Sequence, residues 1–220
     1  VYELVAGALA SYLLGDTVLQ FSTVIGTYLF AMGVGSWLSR YVGKGLAARF
    51  VQIEALVGLV GGFSAAILFA AFTYVEGFRI LLYGLVLTTG ILVGMEIPLL
   101  MRLLKNRVEF KDLVSQVLAL DYVGALGASV LFPLWLAPRL GLLNTSLVFG
   151  LLNVGVALWA LRMFKGEITG GGRLQGQCLA SAAALALGLV FSAEIGAFAE
   201  GSLYSDEVIF LKSTPYQRIV

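Results

Sequence analysis

Apolar residues run through this chain in long blocks, and its charged residues collect in the short gaps between those blocks. A helix that crosses a bilayer needs about 20 mostly apolar residues, and several blocks reach that length. A transmembrane barrel would instead alternate in polarity over segments of about ten residues. The pattern therefore predicts an all-α membrane protein, a bundle of about seven transmembrane helices.

The boundaries of the expected helices follow the blocks. The first block is too short to cross a bilayer alone, so we expect the chain to begin partway into a helix. The seven expected helices are Val1 to Leu14, Val18 to Ser39, Phe50 to Val75, Phe78 to Leu104, Leu113 to Ala137, a sixth from the Pro138 to Gly141 corner to Phe164, and Cys178 to Ala199.

The composition changes after the last block, where Tyr204 to Val220 mixes charges with alternating apolar residues. Val208 to Leu211 and Gln217 to Val220 are β-prone runs on either side of Lys212 to Tyr216, which indicates a short C-terminal β-hairpin tail. We therefore divide the chain into a polytopic transmembrane domain, residues 1–200, and the start of a soluble domain, residues 201–220.

The basic residues predict the orientation of the bundle. The loops after the second, fourth and sixth helices hold nearly all of them, whereas the opposite loops hold Arg79 and Arg139. Because cytoplasmic loops are enriched in Lys and Arg, we expect a multi-pass protein of the cell's inner membrane with the C-terminal tail on the side opposite the cytoplasm. The residues on the expected cytoplasmic face are Arg40, Lys44, Arg49, Arg102, Lys105, Arg107, Lys111, Arg162, Lys165 and Arg173.

Composition narrows the possible chemistry. Of the 220 residues, 60% are hydrophobic and 12% are charged, against about 25% charged in an ordinary soluble domain. The chain has no histidine and a single cysteine, Cys178, so an internal disulfide is impossible and hydrolase triads and zinc sites are close to excluded.

The basic residues form no stripe with interleaved aromatics, so we expect no nucleic-acid partner. The expected partners are the lipid bilayer and, through glycine-rich helix faces, other membrane subunits.

Three acidic residues inside the apolar blocks fall in the same half of the predicted bundle. Ionisable groups within a span are costly and usually face a cavity or a partner. Glu54, Glu96 and Asp121 are therefore expected to form an intramembrane polar pocket, suited to a proton, a metal cation or an organic amine. We assign no catalytic residue and no metal ligand. In the alternative interpretation the three acids are structural. Glu54 and Glu96 then snorkel to the membrane surface or pair with a basic residue, and Asp121 bonds neighbouring backbone or Tyr122. The candidate basic residues are Arg49, Arg102 and Lys105.

Two kinds of motif resemble a known family. The tail Ser213 to Val220 resembles the N-terminal hairpin of spermidine synthase domains. The resemblance implies that Gln217, with Tyr216 beside it, contacts the nucleoside of decarboxylated S-adenosylmethionine if a full synthase domain follows, and that the chain itself needs no cofactor. The stretches that are similar to the membrane region of multi-pass bacterial spermidine synthase-like proteins, in the polyamine aminopropyltransferase family, are Tyr2 to Leu4, Ser11 to Asp16, Met32 to Arg40, Glu96 to Leu100 and Asp121 to Gly124.

The sequence leaves three functions open. The first is an integral membrane domain of a spermidine synthase-like protein, non-catalytic by itself, which anchors or serves a soluble aminopropyltransferase-like domain. The second is a transporter-like module for a cationic solute. The third is a structural subunit of a larger membrane complex. In the first case the 220-residue chain is not an enzyme, whereas the full-length relative is an aminopropyltransferase.

Overall fold

A computed structural model describes residues 1–201, 212–213 and 218–219 of the chain. Almost all of the described part is helical. The elements are α1 (Tyr2–Leu14), α2 (Thr17–Ser39), α3 (Leu46–Tyr74), α4 (Phe78–Leu104), α5 (Phe110–Leu131), a π-helical segment (Phe132–Leu140), α6 (Gly141–Met163), α7 (Gly171–Val190), α8 (Ser192–Gly201), β1 (Lys212–Ser213) and β2 (Arg218–Ile219).

A two-residue turn separates α1 from α2. Gly15 and Asp16 both have positive φ, 74° and 47°, which is a conformation that glycine and aspartate tolerate better than most residues. The Asp16 side chain accepts a hydrogen bond from the backbone N–H of Leu19 at 3.2 Å. This N-cap satisfies one of the free donors at the start of α2 and ends α1 well short of a full membrane crossing.

Two close helix crossings hold the bundle together. In the first, α4 packs on α2 so tightly that a side chain at Gly94 would collide with the backbone of Met32. In the second, α6 packs on α3, and a Cβ atom at Gly150 would lie 2.6 Å from the carbonyl oxygen of Gly58. Ser146 adds a hydrogen bond from its Oγ to the carbonyl oxygen of Gly62, at 2.9 Å. Small residues let helix backbones approach in this way when lipid surrounds them.

The basic loops lie together at one end of the bundle. Arg102, in the last turn of α4, donates hydrogen bonds to the carbonyl oxygens of Ser39 at 2.9 Å and Val42 at 2.6 Å, in the α2–α3 connection. Arg107, after α4, forms an ion pair with Glu167, after α6, at 2.5 Å. These bonds join the α2–α3, α4–α5 and α6–α7 connections, which hold most of the basic residues. We call this end of the bundle the basic end.

Between α5 and α6 the chain turns through the π-helical segment. Pro133 and Pro138 lie within this segment and cannot donate backbone hydrogen bonds to an α-helical ladder. Gly141 has a φ of 77°. The Thr145 hydroxyl is 3.4 Å from the carbonyl oxygen of Leu136, whereas nine residues of straight helix would separate them by about 13 Å. The corner predicted at Pro138 to Gly141 therefore coincides with a real change of direction.

The predicted transmembrane helices do not correspond one to one with the apolar segments of the structure. In the described ranges, five segments are long and apolar enough to cross a membrane. Helix α1 has 13 residues, and a break at Phe191 divides the predicted last helix into α7 and the 10-residue α8. The predicted fifth and sixth helices fall within a single apolar segment. The five segments are Thr17–Ser39, Leu46–Phe72, Phe78–Leu104, Phe110–Met163 and Gly171–Val190.

The predicted β-hairpin tail is wrong in its extent and position. Only β1 and β2 pair, antiparallel, with Lys212 opposite Ile219 and Ser213 opposite Arg218. Lys212 and Ser213 belong to the stretch that was expected to form the turn, and Val208 to Leu211, the expected first strand, lies outside the described residues. A ladder of two residues per strand is too small to be stable in water by itself. The described fold is helical apart from this ladder.

Candidate functional site

Glu54 is the most deeply buried charged residue that the structure describes. It lies on α3 with 6% of its surface exposed. Gly61 follows two turns later on the same face of α3. The Tyr2 ring occupies the space that a side chain at Gly61 would take, with Cζ 2.6 Å from the position of a Cβ atom there. The glycine thus lets α1 bring a tyrosine onto the helix face that carries Glu54.

Glu96 approaches the same region from α4. It follows Gly94 by two residues, or about 200° around the helix, so it lies on the side of α4 away from the α2 crossing. Its Oε1 atom is buried without a hydrogen-bond partner among the described residues. The carboxylate lies within electrostatic range of Glu54 and Asp121. Pro98 also leaves the Gly94 carbonyl without its usual donor in the helix. The structure therefore brings Glu54 and Glu96 together.

Asp121 lies at the edge of this group rather than inside it. It is exposed, on a helix that touches the bundle only lightly. It lies on the same side of α5 as the partly buried residues Val114, Val117 and Ala128. Asp121 therefore faces the opening between α5 and the bundle, within electrostatic range of Glu96 and Tyr28.

Two tyrosines that the sequence pattern did not single out, Tyr2 and Tyr28, lie within electrostatic range of the acids. Tyr2 is 7% exposed, and its hydroxyl is buried without a described hydrogen-bond partner. It lies within electrostatic range of Glu54, Glu96 and Tyr28, and Tyr28 in turn lies within range of Glu3. Tyrosine in a membrane protein normally lies at the membrane surface, so a tyrosine far from a helix end, as Tyr28 is, was a usable signal. We define the acid–tyrosine track as Tyr2, Glu3, Tyr28, Glu54, Glu96 and Asp121.

Two of the three basic residues proposed as partners of the acids, Arg49 and Arg102, bond elsewhere. Arg49 donates to the side chain of Gln52 at 2.9 Å, and Arg102 donates to the two backbone carbonyls at the basic end. In the described part of the chain the ion pairs are Arg107 with Glu167 and Lys111 with Glu109, both exposed. The acid–tyrosine track therefore carries four acids, and the described ion pairs give none of them a lysine or arginine partner.

This arrangement suits an organic cation better than a metal ion. Within the described ranges, no three His, Cys, Asp or Glu side chains come close enough together to hold a metal. A buried carboxylate is stable when a cation or hydrogen-bond donors compensate it. Carboxylates interleaved with tyrosines offer an ammonium group both acceptors and aromatic faces. The intramembrane pocket of Glu54, Glu96 and Asp121 remains a prediction, now with Tyr2 and Tyr28 added.

The residues that the resemblance assigned to the nucleoside, Tyr216 and Gln217, lie outside the described residues. Their neighbours in β1 and β2 form the two-residue ladder. The assignment of both residues therefore stays a prediction.

Among known proteins, no family model and no solved structure matches the chain. Curated relatives match it from end to end. The polyamine aminopropyltransferase of Leptospira interrogans is 55% identical over 225 residues, covering 100% of this chain and 44% of the relative. Polyamine aminopropyltransferase 2 of Ralstonia nicotianae is 55% identical over 226 residues, with the same coverage. The polyamine aminopropyltransferase of Mycobacterium tuberculosis is 34% identical over 232 residues, again covering 100% and 44%.

The chain is therefore homologous, over its whole length, to polyamine aminopropyltransferases, and it spans less than half the length of these relatives. The family that the sequence motifs suggested is supported. The further statement that the chain is the membrane domain of such a protein is not confirmed, because the apolar segments establish only length and composition.

The function predicted from the sequence is corrected by the same relatives. A non-catalytic anchoring or serving domain was expected, with a transporter-like module or a structural subunit as alternatives. Relatives that match every part of the chain are named as transferases. The expected role as a non-catalytic anchor is therefore not supported by these relatives.

Proposed function

We propose that this chain is a membrane-embedded part of a polyamine aminopropyltransferase. The observation that carries the proposal is 55% identity over 100% of the chain to proteins of that name. The five apolar segments support the embedding, since each is at least as long as a bilayer is thick.

The proposed location is the inner membrane, with the basic end on the cytoplasmic side. The positive-inside rule supports this orientation. The bonds from Arg102 to the α2–α3 connection and from Arg107 to Glu167 also support it, because they gather the basic loops at one end. The position of the C-terminal tail on the opposite side remains part of the same proposal.

The proposed reaction of the whole protein moves an aminopropyl group from decarboxylated S-adenosylmethionine to a polyamine acceptor. An amine nitrogen of the acceptor attacks the propyl carbon that is bonded to the sulfonium of the donor. The new C–N bond forms as the C–S bond breaks, and sulfur keeps the electron pair and becomes a neutral thioether. A base takes the proton that the nitrogen loses. Gln217 and Tyr216 are the proposed contacts to the donor nucleoside.

Within this enzyme, the proposed role of the acid–tyrosine track is to bind an ammonium group of the polyamine. Polyamines carry several positive charges at neutral pH, because alkylamines resemble the lysine side chain in pKa. Glu54 and Glu96 place two carboxyl groups in a buried setting, and the Tyr2 hydroxyl supplies a further acceptor. Asp121 and Glu3 lie toward the outer part of the track.

The transferase activity is tested with protein expressed from the complete gene and reconstituted in lipid nanodiscs. We expect conversion of putrescine to spermidine in the presence of decarboxylated S-adenosylmethionine, followed by mass spectrometry. A known soluble spermidine synthase serves as the positive control. A pure, monodisperse preparation that forms no product with any diamine would overturn the proposed function.

The role of the track is tested separately, with Glu96→Gln in the same protein. Loss of one charge from a desolvated cluster is expected to raise the KM for putrescine about tenfold, with a smaller change in kcat. Glu76→Gln is the matched control, because Glu76 is an exposed acid in the α3–α4 connection. If neither Glu96→Gln nor Glu54→Gln changes the KM, the track does not bind the amine, even where the transferase assay is positive.

A further inference from the structure

A cavity of about 670 Å³ lies at the basic end, between the last turns of α6 and the start of α7. Its volume is within the range of about 300–1,000 Å³ that is typical of ligand sites. None of the acid–tyrosine track residues lines it. The cavity therefore needs an explanation of its own.

The polar part of the cavity is positively charged. Arg162 and Lys165 line it, together with the side chain of Gln175, and no acidic residue does. Glu167, the nearest acid in sequence, pairs with Arg107 instead. Neither Arg162 nor Lys165 has an ion pair or hydrogen bond that the structure describes. The cavity thus presents two cations with no described countercharge.

The start of α7 adds to the attraction for an anion. Gly171 and Gly172 line the cavity in the first turn of that helix. The first backbone N–H groups of a helix have no partner within it, and they carry the positive end of the helix dipole. Two adjacent glycines leave this backbone uncovered, so an anionic oxygen can approach it closely.

The rest of the cavity wall is apolar and continues along the outer surface of the bundle. Gly155 and Trp159, one turn apart on α6, line it with Leu179 of α7. Trp159 is 65% exposed and Leu179 is 52% exposed. The space beside Gly155 is empty, with no described atom within 4 Å of where a Cβ atom would lie. This wall is therefore apolar and open beside Gly155, which is what a hydrocarbon chain requires.

From these observations we infer that the cavity binds an anionic phospholipid, with its phosphate between Arg162, Lys165 and the start of α7 and one acyl chain along Gly155 and Trp159. The occupant must combine negative charge with a long apolar portion, because the cavity has both a basic and an apolar wall. A free phosphate would satisfy only the first. Basic pockets between helices on the cytoplasmic side of a membrane are suited to anionic headgroups.

The test compares lipids and variants in protein expressed from the complete gene. Thermal unfolding is measured in nanodiscs of phosphatidylcholine, with and without added phosphatidylglycerol or cardiolipin. We expect the anionic lipids to raise the melting temperature and to remain bound in native mass spectrometry. Arg162→Gln with Lys165→Gln is expected to remove both effects. The matched control is Arg40→Gln with Lys44→Gln, which removes two charges from the basic end outside the cavity.

Two further measurements separate a lipid from a simple anion. Gly155→Leu fills the apolar groove without touching the basic wall, so it is expected to weaken phosphatidylglycerol binding about tenfold or more, by occlusion. Inorganic phosphate is expected to give no stabilisation at the same concentration. The inference is overturned if phosphate stabilises as well as the lipid, if both charge-pair variants behave alike, or if Gly155→Leu retains full lipid binding. None of these readouts depends on transferase activity.

Discussion

Helices α3 and α5 are both apolar over most of their length, and each carries an acid among its apolar residues, Glu54 and Asp121, yet they lie in opposite surroundings. Half of the most apolar stretch of α3 is buried in the protein. In α5, which is described from end to end, Leu113 is the single buried residue. Apolar character alone therefore does not determine which helix becomes the centre of the bundle.

The difference comes from where each helix meets another backbone. The glycines Gly58 and Gly62 of α3 face Gly150 of α6, and the two helices approach closely along that line. The glycines of α5, Gly124 and Gly127, have no described atom within 4 Å of a Cβ position. Close packing of small residues gains dispersion energy that lipid contact does not match, so matched glycines rather than glycine content bury α3.

The same difference separates the two ends of the acid–tyrosine track. Glu54 on α3 is enclosed by protein, whereas Asp121 on α5 is exposed at the opening beside the bundle. A charge interaction is several times stronger in a protein interior than in water. The α3 end of the track is thus suited to hold an ammonium group, and the α5 end is suited to admit one.

The largest expected effect comes from breaking the α3–α6 crossing with Gly58→Leu. A Cβ atom at Gly58 would lie 2.7 Å from the carbonyl oxygen of Gly150 and 2.8 Å from Cγ2 of Val154. Because a backbone oxygen cannot move aside, we expect a loss of about 3 kcal/mol or more in the free energy of unfolding. Thermal unfolding and gel filtration in detergent measure it.

Gly124→Leu on α5 is the control for this variant. It makes the same change of residue where nothing lies within 4 Å, so we expect a change within about 0.5 kcal/mol. Equal destabilisation by the two variants would show that α5 is as closely packed as α3, which would contradict the comparison.

The next effect concerns the acids, and it is measured by binding of radiolabelled putrescine to the complete protein. Glu54→Gln is expected to weaken binding about tenfold, because the lost charge is desolvated. Asp121→Asn is expected to weaken it only about twofold, since solvent screens an exposed charge. A larger loss for Asp121→Asn than for Glu54→Gln would reverse the assignment of the two ends of the track.

The smallest expected effect comes from single hydroxyl groups. Ser146→Ala removes the buried hydrogen bond from α6 to the Gly62 carbonyl of α3, and we expect a loss of about 0.6–1 kcal/mol, which is typical of such bonds between helices. Ser129→Ala on α5 removes only a bond to Leu126 within its own helix, so no measurable change is expected. Unfolding curves of the two variants are compared in the same detergent. Equal losses of stability in Ser146→Ala and Ser129→Ala would contradict the prediction.

Some of the candidate site was predictable from the sequence. Glu54 and Glu96 stand out as acids inside apolar blocks, and two such acids usually find polar surroundings. The position of Tyr2 within electrostatic range of both acids was not predictable, because it depends on the way α1 fits over Gly61 of α3. The exposure of Asp121 was not predictable either, because it depends on how far α5 stands from α4.

The sequence by itself determined the helical class, the positions of most helices, the likeness to polyamine aminopropyltransferases and the asymmetry of the basic loops. These properties follow from local composition and from motifs that are contiguous in the chain. Only the tertiary structure decided that α3 is central and α5 peripheral, that Tyr2 lies within electrostatic range of Glu54 and Glu96, and that Arg162 and Lys165 line a cavity. The physical reason is that a helix which is apolar on every side has no polar face to mark its outside. Its neighbours are then selected by the fit of small residues between helices, which becomes visible only when the helices are packed.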